Sequence, residues 1–335
     1  MCLSGIFGLK ILPVGRGKPN ELWLLTNKLR GSYIMSSCLL IVNPSSGKER
    51  AKEFVPGMKK QLERLFDTVE VKETQKAYDA TAFAKQADEE GKTAVFCMGG
   101  DGTLNETING LAQAHKPINF GFIPFGTAND LARALKIPLD PGKAIELLPN
   151  ARMVNIDLGK INDRYFINII AAGALPKACE EVSTEEKTRF GVLAYFIKGI
   201  KAHADQRVYT FKIESDVGDF TQEASLLAAV LTNSIGSFET AMPGAKVNDG
   251  KIHLVVFKNL NMLDTVKIAS QIIIGNIDYS KFATVHDIQK ARISIIGDEK
   301  LSTTVDGEKG PDFPLKLKVL PSFLKVYVPK AEDDE

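Results

Sequence analysis

Ala94-Val95-Phe96-Cys97-Met98-Gly99-Gly100-Asp101-Gly102-Thr103 is the stretch on which the reading of this chain turns. A five-residue apolar run of buried-strand length leads straight into three glycines that leave peptide N–H groups uncovered, so an anion can approach the main chain closely. Asp101 stands where a divalent cation would be needed beside that anion. Downstream, Leu104, Ile108 and Leu111 recur at helical spacing. Thr103 and Glu106, three residues apart, read as an N-cap and its capping-box partner, with the helix N-terminus aimed at whatever the glycines cradle.

Outward from this loop the pattern alternates. Strands are expected at 38–42, 69–72, 93–98 and 119–123, and helices at 49–65, 79–90, 104–113 and 129–135. Short apolar strands alternating with helices specify a parallel, helix-covered sheet, whose ligands gather at the carboxyl ends of the strands. The turns after Val42, Met98 and Ile123 all fall on that edge. From Val154 the character shifts to β-branched, alternating segments at 154–158, 165–171, 208–213, 226–232, 252–257 and 291–296, interrupted by helical patterns at 190–204 and 263–274. The expected fold class is therefore α/β: an N-terminal parallel βα nucleotide-binding domain over 36–150 and a second, β-rich, antiparallel, sandwich-like domain over 151–312. Residues 313–330 are expected to complete the first domain. Residues 1–35 read as an extension outside the fold, with Met35 an alternative start, and 331–335 as an acidic tail.

Composition narrows the function classes. Lys and Arg total 42 against 41 Asp and Glu, a net charge of +1, and no motif of an RNA or DNA reader is present, so nucleic acid is not an expected partner. Cys2, Cys38, Cys97 and Cys179 form no C-x-x-C pair, and the histidines show no metal spacing, which points to a reduced, cytoplasmic setting without structural zinc. Charged residues interrupt every apolar run long enough to cross a bilayer.

Pro124-Phe125-Gly126-Thr127-Ala128-Asn129-Asp130 repeats the logic of the first loop: an apolar strand, a glycine turn, a threonine able to cap, and a helix carrying Leu131, Ala134 and Leu135. Two helix N-termini would then converge on one polyanion, as suits a triphosphate, with Asp130 read as a cap. Together, GGDGTLNETINGL at 99–111 and PFGTANDLARAL at 124–135 resemble the bacterial diacylglycerol kinase and YegS-type lipid kinase family. GGDGT alone is shared with NAD kinases and, more distantly, phosphofructokinases. The second motif is the more specific, and the resemblance spans Cys38 to Pro329.

That resemblance implies a kinase with ATP as co-substrate and Mg²⁺ as cofactor in a cleft between the two domains. Asn43 in Asn43-Pro44 and Thr74 match nucleotide contacts. Gly99, Gly100, Asp101, Gly102, Thr103, Leu104, Asn105 and Glu106 match the phosphate loop, and Gly126, Thr127 and Asn129 its second half. Asn43 to Lys48 does not make a P-loop, because the position requiring the first glycine is Val42. Lys246-Val247-Asn248-Asp249-Gly250-Lys251 resembles the family's metal turn, with a carboxylate from Asp249 and main-chain carbonyls from Lys246 and Lys251. Asp306-Gly307-Glu308 resembles its D-G-E turn, with Glu308 as proton acceptor and Asp306 as helper or metal contact; Asp101 is the rival base. Read without the resemblance, both Asp-Gly turns are ordinary hairpin signals.

A lipid substrate would require access to a membrane. Phe190, Leu193, Phe196, Ile197 and Ile200 share one helical face, with Lys198 and Lys201 on another, a pattern that suits an interfacial helix or equally a helix packed on its own sheet. The implied partners are ATP, a lipid alcohol at the inner face of the membrane, diacylglycerol by resemblance, and in one version a second copy of the chain. The competing readings are a soluble-substrate kinase of the NAD kinase type and a non-catalytic lipid-binding protein.

Overall fold

The computed structural model describes residues 36–173, 208–260 and 262–330. The predicted segments 1–34, 190–204 with its interfacial lysines, and the tail 331–335 lie outside the described residues.

The first half alternates strands and helices as the pattern requires. It comprises β1 (Ser37–Val42), α1 (Ala51–Leu62), β2 (Thr68–Glu73), α2 (Asp79–Glu89), β3 (Ala94–Gly99), α3 (Asp101–Leu111), β4 (Asn119–Pro124), α4 (Asp130–Ala134) and α5 (Pro141–Leu147). Strands β1, β3 and β4 pair in parallel and are buried almost throughout, which is why they read as continuous apolar runs rather than alternating ones. Helix α5, which the periodicity missed, starts on Asp140, whose side chain accepts from Lys143 N, with Pro141 at its first turn.

The second half is antiparallel: β5 (Arg152–Ile161), β6 (Arg164–Phe166), β7 (Ile169–Gly173), β8 (Tyr209–Ser215), β9 (Gly218–Ala224), β10 (Leu226–Val230), β11 (Ile252–Phe257), α6 (Met262–Ile274), β12 (Ala283–Ile288), β13 (Lys290–Ile295), β14 (Thr303–Val305), β15 (Glu308–Lys309) and β16 (Leu315–Val328). Six of these strands form a separate sheet in the order β12-β11-β10-β7-β14-β15. The fold is thus α/β, with a parallel N-terminal sheet and an antiparallel β-rich second half. The expected single strand at 165–171 is split into β6 and β7, because Ile167, Asn168 and Ile169 turn their N–H groups to a side chain instead of a neighbouring strand.

The two halves share a sheet, in the order β2-β1-β3-β4-β16-β13-β8-β9. The element common to both halves is β16, so the expectation that 313–330 completes the first domain holds only for its later part. Its first residues pair with β13, its later ones with β4 through Val326 and Phe120, and a bulge between Leu320 and Leu324 lets one strand serve both. The buried carboxylate of Asp157 fixes that bulge, accepting from Ser322 N at 2.7 Å and from Gly250 N at 2.6 Å.

One local strain stands out. Tyr78 precedes α2 with φ of 68°, a left-handed conformation that costs a bulky residue about 1–2 kcal/mol, and its residue surface is 66% exposed. Tyr78→Gly should therefore raise stability by about 0.5–1 kcal/mol in urea unfolding, despite glycine's greater entropy loss.

Candidate active site

The edge formed by the carboxyl ends of β1, β2 and β3 opens into a pocket of about 540 Å³ lined by Asn43, Glu73, Thr74, Lys76, Thr103 and Glu106 among others. Asn43 donates from Nδ2 to Thr103 Oγ1 at 2.9 Å and accepts from Ser45 N and Oγ, so one side chain ties the β1 turn to the glycine loop. The main chain at Thr74 is held by its N–H to Val42 O at 2.9 Å. Three segments far apart in sequence, contributing Asn43, Thr74 and the helical pair Thr103 and Glu106, therefore share one wall.

The glycine loop is built as a donor cradle. Gly100 is the N-cap of α3 in extended conformation, and the first main-chain bond of the helix runs from Leu104 N to Gly100 O at 3.0 Å. The N–H groups at 101–103 precede that bond and are the ones a helix N-terminus presents to an anion. Thr103 is consequently inside the helix rather than its cap, and Glu106 faces the pocket rather than closing a capping box. Leu104 sits in the core at 4% exposure, so its side chain takes no part in binding.

The second loop meets the first directly. Phe125 N donates to Gly99 O at 2.8 Å, and a Cβ added at Gly126 would lie 2.9 Å from the Gly100 Cα, so only glycine permits this approach. The expected pair of helix N-termini is not what results. Asn129 and Asp130 direct their N–H groups at Asp101, to Oδ2 at 2.9 Å and Oδ1 at 3.2 Å, so the start of α4 is satisfied by a side chain of the first loop. Asn129, not Thr127, closes the turn, with Oδ1 accepting from Gly126 N and Nδ2 donating to Gly126 O, both at 2.9 Å; Thr127 is exposed. Burial raises the Asp101 carboxyl above its ordinary range, opposed by the Asn129 N–H. Asp101 thus serves here as the clasp between two loops.

Asp130 likewise is not a helix cap. Its carboxylate reaches into the second half and accepts from Ser234 Oγ, Gly236 N and Ser237 N, each at 2.8 Å. Asp130→Ala would leave these donors without their partner, and is expected to cost about 2–3 kcal/mol and to speed amide exchange at Gly236 and Ser237.

The D-G-E turn arrives from the other side. Asp306 and Gly307 both have positive φ, 48° and 87°, as a tight hairpin between β14 and β15 demands. The Asp306 carboxylate accepts four hydrogen bonds: from Asn105 Nδ2 at 2.7 Å, and from the N–H groups of Ile167, Asn168 and Ile169 at 2.8–2.9 Å. Burial raises its carboxyl, with these donors pulling the other way. Asp306 is therefore a positioning residue that joins α3 to the second sheet. Glu308 follows it and is half-exposed, with Oε1 3.8 Å from the position a Cβ would take on Gly102 and Oε2 3.2 Å from Arg164 Nη2. Arg164 also donates to Lys309 O at 2.7 Å.

Sequence reasoning missed Arg164 and Asn109. Asn109, one turn beyond Asn105 on α3, donates to Asn105 Oδ1 and Tyr165 O and accepts from Tyr165 N, fixing the β6 hairpin that carries Arg164. The i, i+4 spacing of the two asparagines on one helix was the available signal.

The proposed metal turn is organised differently from the rest. Asp249 accepts from the N–H groups of Lys246 and Lys251, both at 3.1 Å, and its Oδ2 lies 3.0 Å from His253 Nε2, while His253 Nδ1 lies 2.8 Å from Asp287. The carboxylate is thus turned to N–H groups of its own loop. Among the described residues no three His, Cys, Asp or Glu side chains converge as metal ligands would. As folded, the Asp249 carboxylate is engaged by the amide hydrogens of its own turn and by His253. No helix of the described residues is long and apolar enough to cross a membrane.

Comparison with known proteins converges on one group. The family model of the diacylglycerol kinase catalytic domain matches residues 37–161, and that of the YegS C-terminal NAD kinase beta sandwich-like domain matches 168–328. A diacylglycerol kinase of Staphylococcus carnosus (strain TM300) is 35% identical over 291 residues, covering 87% of this chain and 94% of the relative. One from Staphylococcus aureus (strain MRSA252) is 34% identical over 290 residues, 87% and 91% of the two chains. A crystal structure of a diacylglycerol kinase from Bacillus anthracis str. Sterne superimposes with a TM-score of 0.74 at 22% identity, over 89% of this chain and 98% of that one, a likeness of fold.

Proposed function

Because the chain belongs to the diacylglycerol kinase catalytic domain family, we propose that it transfers the γ-phosphate of ATP to the hydroxyl of a lipid alcohol, diacylglycerol giving phosphatidic acid. The observation that carries this reading is the meeting of the Gly100 and Gly126 loops beside Glu308. Residues 36–150 with the later part of β16 form the nucleotide half in this reading, and 151–312 with the first part of β16 the lipid half. The enzyme would work on the cytoplasmic side, peripheral to the membrane.

Phosphoryl transfer asks little covalent chemistry of a protein and much positioning and charge stabilisation. The amides at 101–103 hold the phosphates while Asn43, Thr74 and Glu106 line the nucleotide pocket. The acceptor oxygen bonds to the γ-phosphorus, the bond to the β,γ-bridging oxygen breaks, and ADP leaves. Glu308 Oε1 takes the hydroxyl proton, with Arg164 holding Oε2 away. Mg²⁺ enters as part of the nucleotide substrate, and no step passes through a metal held at Asp249.

Labelled ATP offered with Mg²⁺ to a mixed lipid extract, to micellar diacylglycerol and to NAD tests the proposal. Labelled phosphatidic acid is the expected product. Phosphorylated NAD with unlabelled lipid would establish a soluble-substrate kinase instead, and absence of Mg²⁺-dependent ATP consumption a non-catalytic protein.

A further inference from the structure

The outer face of the shared sheet carries a block of cations that the fold itself disfavours. Lys290 on β13 lies directly opposite Lys318 on β16, and Arg292 opposite Lys316; Lys318 is in turn opposite Lys160 on β5. Lys290, Arg292, Lys316 and Lys318 are exposed, while the alternating residues Ala291, Ile293, Leu315 and Leu317 point into the core. Like charges directly opposite on neighbouring strands are destabilising. Two bordering carboxylates offset part of this, Glu214 attracting Arg292 and Asp216 attracting Lys290. The acids at its border include Glu214, opposite Arg292 and bonded by Lys212 at 2.9 Å, and Asp216, which accepts from the N–H groups of Gln289 and Lys290, with Asp219 and Glu223 further out on β9; none of the five cations is ion-paired among the described residues.

In a chain whose net charge is only +1, five cations in three adjacent strands form a local field. The same outward alternation runs on from Lys290, Arg292 and Ser294 to Ile296, which is 54% exposed. A flat basic surface with an exposed apolar residue at its margin matches the headgroup layer of an anionic bilayer in charge and shape. The face is also continuous with the site. Lys160 pairs with Tyr165 across β5 and β6, its Nζ 5.6 Å from the ring centroid, and Tyr165 adjoins Arg164, which holds Glu308.

We propose that Lys160, Lys290, Arg292, Lys316 and Lys318 form a docking face for anionic lipid headgroups, so that the sheet lies against the bilayer from which the acceptor lipid is drawn. This rests on the lipid kinase reading for its purpose, though not for its geometry. The full chain is to be sedimented with vesicles of phosphatidylcholine alone and of phosphatidylcholine with phosphatidylglycerol, at low and high salt. The unsubstituted protein should bind the anionic vesicles only, and salt should release it.

Each basic residue near such a surface is worth roughly fivefold in partitioning. The combined Lys290→Gln, Arg292→Gln, Lys316→Gln and Lys318→Gln variant should therefore lose about 100-fold or more. It should still phosphorylate micellar diacylglycerol and melt at an equal or higher temperature, since cross-strand repulsion is relieved. Lys316→Arg with Lys318→Arg should bind as the original does. Equal sedimentation of the glutamine variant, no sedimentation of the original protein, or capture of the original by RNA in preference to anionic vesicles would each overturn the docking face. Vesicle binding lost in the variant, by a chain that phosphorylates no lipid, would keep the face and remove the lipid kinase reading.

Discussion

Glu308→Gln is expected to lower lipid phosphorylation by about 10²- to 10⁴-fold, the range general-base catalysis supplies, while leaving nucleotide affinity within about twofold. The amide keeps the shape and the contact near Gly102 but accepts no proton from the hydroxyl. Because Glu308 is half-exposed and held by one ion pair, the substitution should scarcely change the unfolding midpoint. Steady-state rates with nucleotide titration check both halves of the expectation. Asp101→Asn provides the contrast. Its carboxylate receives the N–H groups of Asn129 and Asp130, so an amide there loosens both loops and should raise KM for ATP together with any loss of kcat. A normal rate for Glu308→Gln with inactive Asp101→Asn would move the base to Asp101.

Asp306→Ala should be the most destabilising single change at the site, at about 3–5 kcal/mol in urea unfolding. It deprives four donors of one acceptor: Asn105 on the phosphate-loop helix and three successive main-chain N–H groups at 167–169. Asp306→Asn, which retains one acceptor oxygen but turns an NH₂ toward remaining donors, should fall between the two. Activity should fall with stability in both, because the turn that carries Glu308 is hung on this carboxylate. A variant that unfolds like the original protein would show that the four bonds contribute nothing net.

Much of the first half was legible in sequence because β1, β3 and β4 are buried on both faces. CLLIV at 38–42 and AVFCMG at 94–99 have no solvent-facing positions to fill, so apolar continuity alone marks them. The glycine loops were legible for a related reason: close approach of Gly100 to Gly126 excludes any Cβ. Strands β9 and β12 were not legible. GDFTQEA at 218–224 is mostly exposed, and its place is set by pairing with β8 rather than by an apolar pattern.

The candidate site divides along the same line. Residue types and their spacing were enough to mark Asp101, Asn129 and Asp130, since carboxylates and amides beside glycine turns are chemically conspicuous, whereas Asp306 and Glu308 were marked only by resemblance to the family, their Asp-Gly turn reading on its own as a hairpin. Their partners were another matter. Asp101 and Asp130 look like a metal ligand and a cap when read locally, and became a loop clasp and an anchor to residues 234–237 only when segments 28 to 107 residues apart were brought together.

The covalent chain thus prescribes the strand and helix order, the two glycine cradles and the inventory of acids, all of which depend on short-range sterics and burial. Which carboxylate is saturated by N–H groups, which one keeps an oxygen turned to the phosphate loop, and how the lysines of β13 and β16 come to face each other follow from strand register and the bulge of β16. Register aligns residues distant along the chain, and no local pattern encodes that alignment.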